Sequence, residues 1–293
     1  DIKGERGLNL IFDKRKGGLS SFRYEGFDYL KSSLVPDFWR VNTDNDDWDS
    51  ENNVWKNAIS KMQVLQVTVE PATAVSKKEK KYEQIKVHVK TQFTVSEKPQ
   101  HTIFFDTDYT VHADGSIRVD NYFTPNYYNG ESNMSIPRIG QVVNMNSELS
   151  LAQWYGRGPW ENYSDRKTSA LVGEYEMPVS ELPYNYIRPQ ENGYRTDVRW
   201  LKLKSPDGHA LKITGEPIFC FNIQFTGQDG YFTNDGARMR SSVNMVKEQN
   251  YYLNIDYAQK GVGGDNSWGK PVHSEYLVLL RYHAYSFWLQ PEL

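Results

Sequence analysis

A single cysteine, Cys220, stands among 293 residues. No internal disulfide framework is therefore open to the chain, and the redox compartment stays undecided. Its neighbours in Ile218-Phe-Cys-Phe-Asn-Ile223 predict a small buried hydrophobe rather than a reactive thiol. An excess of one charge is lacking too. Thirty-four Lys and Arg face 37 Asp and Glu, a formal net charge of -3, which gives no electrostatic footprint for nucleic acid or an anionic membrane surface. The main charge run, Lys77-Lys-Glu-Lys-Lys81, lies between strand-like segments and reads as a solvated hairpin tip. No leader pattern is present, and no apolar run approaches the ~18 residues of a membrane span. The first residue is Asp1 rather than Met, so the chain is expected to be processed or to be a piece of something longer.

Several chemistry-bearing patterns are missing as well. No Gly-x-Ser-x-Gly elbow occurs, and no glycine-rich loop ends in Gly-Lys-Ser/Thr, so neither serine acyl chemistry nor a phosphate cradle has sequence support. The six histidines, His88, His101, His112, His209, His273 and His283, show no metal-ligand spacing. No metal is expected to be held by this chain. Helix-period patterns are scarce, and one short helix is expected over 53–60.

What the chain has in quantity is aromatic side chains, 14% of residues with 20 Tyr, set in period-two alternation. Gln63 to Val69, Gln84 to Val95 and His101 to Val111 read as successive antiparallel strands. Asp114-Gly115 then supplies the tight turn into Ile117 to Phe123, because glycine tolerates the positive φ such a turn needs. Further strands are read at 8–12, 19–24, 199–203, 211–214, 219–225, 251–257, 275–282 and 285–289. No Gly/Ser or Pro-rich seam divides the chain. The expectation is one all-β domain over residues 1–293, with two large antiparallel sheets packed face to face.

Four polar segments are candidates for chemistry. Phe38-Trp-Arg-Val-Asn-Thr-Asp-Asn-Asp-Asp-Trp48 concentrates Asp44, Asn45, Asp46 and Asp47. It fits a structural Asx-rich loop, a sugar-facing or mobile lid, or a Ca²⁺ site, although the EF-hand glycine and terminal glutamate are absent. Trp154-Tyr-Gly-Arg-Gly-Pro-Trp-Glu-Asn-Tyr-Ser-Asp-Arg166 reads as a rigid loop in which Arg157, Glu161, Asp165 and Arg166 lock one another in charge-assisted pairs. Two carboxylates in one arginine-rich loop fit salt bridges better than a hydrolase pair. Arg188-Pro-Gln-Glu-Asn-Gly-Tyr-Arg195 combines an Asn192-Gly193 turn with an expected Glu191–Arg195 pair. Gly261-Val-Gly-Gly-Asp-Asn-Ser-Trp268 places an indole among Asp265, Asn266 and glycines. There it either packs or offers a sugar an apolar face and an N–H donor.

Taken in order, Arg40 to Asp46, Ile136-Pro-Arg-Ile-Gly140, Trp154 to Arg166, Pro189-Gln-Glu-Asn-Gly193 and Gly261 to Trp268 carry a resemblance over nearly the whole chain. It resembles the C-terminal, small-chain domain of the bacterial β-galactosidases of glycoside hydrolase family 2. The resemblance implies a galactose-mutarotase-like β-supersandwich. It also implies that the catalytic glutamates, and most Mg²⁺ and Na⁺ ligands, lie on a separate TIM-barrel domain or large subunit. It assigns Trp268, with Asp265 and Asn266 beside it, to the sugar site. The loop Asp44-Asn45-Asp46-Asp47-Trp48 corresponds to a mobile active-site loop, although Asp47-Trp48-Asp49 departs from the family there. It makes Arg157, Glu161, Asn162, Asp165, Arg166, Glu191 and Asn192 framework.

The function expected is an accessory domain of a retaining β-galactosidase that is inactive by itself. Its expected partners are a galactoside and the catalytic barrel or large subunit, with a homo-oligomer of the parent as a further expectation. Two alternatives stand beside it. One is a non-catalytic carbohydrate-binding module. The other is an aldose 1-epimerase, for which His112, His209 and His273 are candidates by residue type alone.

Overall fold

The computed structural model describes residues 1–48, 54–56, 58–74, 83–95, 102–126, 134–266, 268, 270 and 272–293. The lysine run 77–81 lies outside the described residues.

Alternation becomes ladder wherever one face of a strand is buried. In β8 (Thr102–Val111) and β9 (Ile117–Asn126) buried and half-exposed positions alternate, since side chains on successive residues leave opposite faces of a sheet. Ser116 N–H caps the Asp114 carboxylate at 2.9 Å between them, and Gly115 takes φ +86°. The chain opens with a four-stranded antiparallel sheet of β1 (Ile2–Lys3), β2 (Asn9–Asp13), β3 (Gly18–Tyr24) and β4 (Phe27–Asp28), followed by the short β5 (Val35–Asp37). Then β6 (Gln63–Ala74), β7 (Glu83–Thr94), β8 and β9 form an up-and-down meander. The second half supplies β10 (Ser135–Ile136), β11 (Arg138–Met145), β12 (Leu151–Gly158), β13 (Leu171–Pro178), β14 (Arg195–Lys204), β15 (Ala210–Gln224), β16 (Tyr251–Gln259), β17 (Val278–Leu279) and β18 (His283–Glu292).

Twelve strands share one antiparallel ladder in the order β13-β12-β14-β15-β18-β9-β8-β7-β6, with β16, β11 and β5 branching from β15. The branch point is the long β15. Its first half, Ala210 to Glu216, runs between β14 and β18, while Cys220 to Gln224 pairs with β16. The turn between the halves requires Gly215, where a Cβ would stand 2.8 Å from the Ile218 backbone. One strand thus joins two layers, and the expected all-β arrangement of large antiparallel sheets is what the chain adopts. The layers close on aromatic side chains. Phe38, just past β5, meets Phe93, Phe105 and Phe123 of the meander at centroid distances of 4.9, 5.7 and 5.4 Å. Such edge-on contacts add to an already large burial term. Tyr285 of β18 donates to the Ile255 carbonyl of β16 at 3.1 Å, tying the branch to the main ladder.

Four local expectations need correction. Trp154 to Gly158 is not loop but the greater part of β12. Its glycines serve close packing: a Cβ on Gly156 would stand 2.9 Å from the Val198 Cα, and one on Gly158 would strike the rings of Tyr175 and Trp154. Residues 275–282 form only the two-residue β17 after a 3₁₀ turn at Ser274–Tyr276. There the Tyr276 carbonyl is spent on Gly261 N–H and Leu280 N–H donates to Met134. The separate strands read at 211–214 and 219–225 are one. The short helix expected over 53–60 is present in its described part, a helical turn at 54–56 followed by a 3₁₀ turn at Ile59–Lys61. Finally, Cys220 is partly exposed as a residue, yet its thiol is enclosed beside Tyr194, and burial pushes its pKa up to about 12. β11 and β13 went unread because their glycines, polar residues and prolines mask the alternation.

Candidate functional site

The polar segments singled out in the sequence meet at one end of the sandwich, over a buried set of charges. Arg40 follows β5 and is 1% exposed. Its guanidinium donates to both Asp46 oxygens at 2.9 and 3.0 Å, to Gln259 at 3.0 Å and to the Gly261 carbonyl at 2.7 Å. The Lys260 ammonium stands 3.4 Å from Asp46, and Thr43 N–H caps the same carboxylate at 3.0 Å. Burial opposes ionisation of Asp46, but Arg40 and Lys260 more than offset it and hold its pKa at about 2. Asp46 is thus the fixed root of the 44–48 loop.

The exposed part of that loop is clamped by two more arginines. Asp44 pairs with Arg188 at 2.6 Å and Arg238 at 3.0 Å, and Asp47 pairs with Arg188 at 3.1 Å and with Arg238. Asp44, Asp46 and Asp47 thus each face a guanidinium or ammonium group. Among the described residues no group of three or more His, Cys, Asp and Glu is placed to hold a metal ion.

The loop bearing Trp268 is fixed at its base. The Asp165 carboxylate accepts from Val262 N–H at 3.1 Å and Gly263 N–H at 2.6 Å. It lies so close that a Cβ on Gly261 would stand 2.5 Å from its carboxyl carbon. Asn45 Nδ2 donates to the Gly263 carbonyl at 3.0 Å, so the 44–48 loop and the Trp268 loop are bonded to each other. Beyond this base, Asn266 Oδ1 accepts from Trp268 N–H at 3.2 Å, Asp265 pairs with His273 at 2.8 Å, and the indole of Trp268 stands 71% exposed.

Between the loops lies a cleft of about 170 Å³, bordered by Asp44, Asn45, Tyr163, Arg166, Tyr186 and Glu191 among others. This is smaller than the about 300–1,000 Å³ of self-sufficient ligand pockets. Two of its buried polar atoms, Asn45 Oδ1 and Tyr163 Oη, have no hydrogen-bond partner, and such atoms carry a desolvation cost until something pairs with them.

The remaining candidates form the walls. Glu161 accepts from Gly193 N–H at 2.7 Å, from Arg166 at 2.6 Å and from the Tyr186 hydroxyl. Asn162, fully buried, accepts from Thr196 N–H and hydroxyl. Arg157 pairs with Asp197, not with Glu161 or Asp165. Asn192 accepts from Tyr184 N–H at 2.9 Å, and Gly193 takes φ +73° in the turn read from the sequence.

The expected Glu191–Arg195 pair is not formed. Arg195 donates to the carbonyls of Leu182, Gly193 and Pro159, only the second of which belongs to its own loop. Glu191 instead meets Arg138 of β11 at 3.3 Å and Asn222 at 2.8 Å. Arg138 is a hub absent from the sequence-level site: Asp37 stands at 3.2 Å and Asp256 at 3.0 Å from the same guanidinium. Burial raises Asp256 well above the carboxylate range and raises Glu191 too, in spite of the Arg138 guanidinium. The one signal for this hub in the sequence was its place in Ile136-Pro-Arg-Ile-Gly140, one of the segments that carry the family resemblance.

The three histidines considered for epimerase chemistry occupy different neighbourhoods. His112 meets Gln84 and Trp288, His209 stacks on Phe27, and His273 pairs with Asp265.

Comparison with known proteins bears on the same residues. The family model for the β-galactosidase small chain matches residues 4–289. A β-galactosidase of Priestia megaterium is 31% identical over 97% of this chain, and one of Halalkalibacterium halodurans is 30% identical over 94%; in each the match covers 26% of the relative. A β-galactosidase of Lactobacillus delbrueckii subsp. bulgaricus is 29% identical over 94% of this chain and 25% of its own length. The chain therefore spans about a quarter of the length of these relatives. Among solved structures, a galactose 1-epimerase of Lactobacillus acidophilus has a TM-score of 0.46 at 9% identity, over 99% of this chain and 92% of that one. A glycoside hydrolase family 97 enzyme of Pseudoalteromonas gives 0.44 at 8%, over 99% and 35%; likenesses this distant add nothing at the level of residues. The match over residues 4–289 is enough to say that the chain belongs to the β-galactosidase small-chain family.

Proposed function

We propose that the chain is the accessory sandwich of a retaining β-galactosidase, shaping the mouth of the sugar site while the reacting carboxylates come from a catalytic barrel or large subunit. The observation that carries this reading is the commitment of every carboxylate around the cleft. Asp46, Asp44, Asp47 and Glu191 each face a cation, Asp165 holds two backbone amides, and Glu161 is bound by an amide, an arginine and a phenol. A retaining glycosidase needs one carboxyl free to attack and another free to give and take a proton, about 5–5.5 Å apart. Here such a pair is already consumed by structure.

Trp268 then offers its indole face to the C–H surface of the galactoside or its leaving group, with Asp265 and Asn266 shaping the loop that presents it. Mg²⁺ and Na⁺ belong to the catalytic part, and no step of this chain is routed through them.

A proton-NMR time course with lactose and freshly dissolved α-galactose tests the reading. No change in either signal with the chain alone, and lactose hydrolysis with the catalytic part present, is the expected result. Release of glucose by the chain alone would overturn it, and accelerated anomer exchange would establish an epimerase instead.

A further inference from the structure

An apolar face borders the cleft. The segments 183–187 and 242–246 cross there: Ser242 N–H donates to the Ile187 carbonyl at 2.9 Å, and Thr226 Oγ1 donates to the Val246 carbonyl at 3.1 Å. These bonds fix the backbone while leaving the apolar side chains outside. Tyr184, Ile187, Val243 and Val246 are 58, 85, 88 and 77% exposed. A depression of about 40 Å³ between the segments is bordered by Tyr184, Pro189 and Met245 among others. Single exposed aliphatics are ordinary, but several gathered on one held surface mark a contact site. Tyr186 and Gln190 border both this depression and the cleft, so whatever covers the face also reaches the cleft.

We infer that this face seats the catalytic part of the same parent protein, which presents an apolar surface to it. The inference rests on the functional reading above and deepens it by naming the surface. Two observations select this occupant. The match covers only about a quarter of the relatives' length, 26% in the Priestia protein, so in a parent of that size most of the polypeptide lies outside this chain. Among the described residues the cleft also lacks a free carboxylate pair, so on the functional reading above the reacting groups come from the catalytic part and meet the cleft at its edge, which this face borders. A second copy of this chain would cover apolar surface equally well but would bring no such groups.

The test compares the intact parent with the isolated chain by hydroxyl-radical footprinting of Tyr184, Ile187 and Val243, and repeats the comparison with Ile187→Asp and Val243→Asp. Protection of these residues by at least tenfold in the parent is expected. The substitutions should lower galactoside hydrolysis by the parent at least tenfold while leaving the unfolding midpoint of the isolated chain unchanged. Equal labelling in parent and chain, with hydrolysis unaltered by either substitution, would overturn the inference and leave the functional reading standing. Protection lost when the parent is diluted to single chains would assign the face to a second copy, and would overturn it too. Lactose hydrolysis by the isolated chain would remove the functional reading itself, and this inference with it.

Discussion

Arg40 grips Asp46 through two guanidinium nitrogens, 2.9 and 3.0 Å from the two carboxylate oxygens, with both side chains shut off from solvent. A buried pair of this kind is costly to break from one side, because the surviving charge is left without a counter-ion. Asp46→Asn should therefore destabilise the chain by about 3–5 kcal/mol, measured by urea unfolding. A loss below about 1 kcal/mol would mean that water reaches Arg40 and that the pair is not the anchor of the 44–48 loop.

The same pair sets an acid limit. Asp46 is depressed from 3.8 to about 2 in the folded chain. A depressed acid gives stability that is full above its unfolded pKa and is lost as pH falls through the folded value. Its contribution, about 2 kcal/mol by linkage, should disappear between about pH 4 and pH 2. Unfolding free energies of the parent sequence and Asp46→Asn should consequently converge across that window. Curves that stay parallel to pH 2 would show that other carboxyls control the acid transition.

Asp256 should behave in the opposite way. Burial raises its pKa well above the usual range despite Arg138 at 3.0 Å. The folded state thus holds the Asp256 proton more tightly than the unfolded chain, and stability falls as pH rises from the unfolded pKa toward the folded one. Asn is close in shape to a protonated Asp, so Asp256→Asn should flatten that slope in unfolding free energies measured across the acid range. A slope left unchanged by the substitution would show that other groups set it.

Asp165 holds the Trp268 loop through two backbone amides, and hydrogen bonds to a charged acceptor contribute about 1.5–3 kcal/mol each. Asp165→Ala should release the amides of Val262 and Gly263 to hydrogen exchange at least tenfold faster, with the strand amides of β14 and β16 unaffected. Unchanged exchange at 262 and 263 would mean that Asn45 and the Tyr276 carbonyl suffice to hold the loop.

Trp268 separates function from folding. With 71% of its surface exposed, Trp268→Ala should change the stability of the chain by no more than about 0.5 kcal/mol. In the proposed assembled enzyme it should raise KM or lower kcat at least tenfold, with partial recovery in Trp268→Phe. Kinetics indistinguishable from the unsubstituted enzyme would remove Trp268 from the sugar site.

How far the sequence reached depended on how local each cause was. Alternation in 101–111 and 117–123, and the Asp114-Gly115 and Asn192-Gly193 turns, were legible because pleat and positive φ are set by neighbouring residues. Trp154 to Gly158 was misread because its glycines answer to Val198 and Tyr175, distant in sequence, rather than to a bend of their own. Glu191 was assigned to Arg195 because they are close in sequence, whereas the structure gives it Arg138.

By itself the sequence determined an all-β chain without a disulfide network and without the nucleophile or phosphate motifs it was searched for, and it marked the segments that form the site. Composition and period are sufficient for these, since they act within a few residues. The tertiary structure decided which charges face each other, that Asn45 bonds to the loop of Trp268, and that an apolar face lies beside the cleft. Those outcomes depend on β15 carrying the chain from one layer to the other, which brings together residues more than 200 positions apart, such as Arg40 and Gln259.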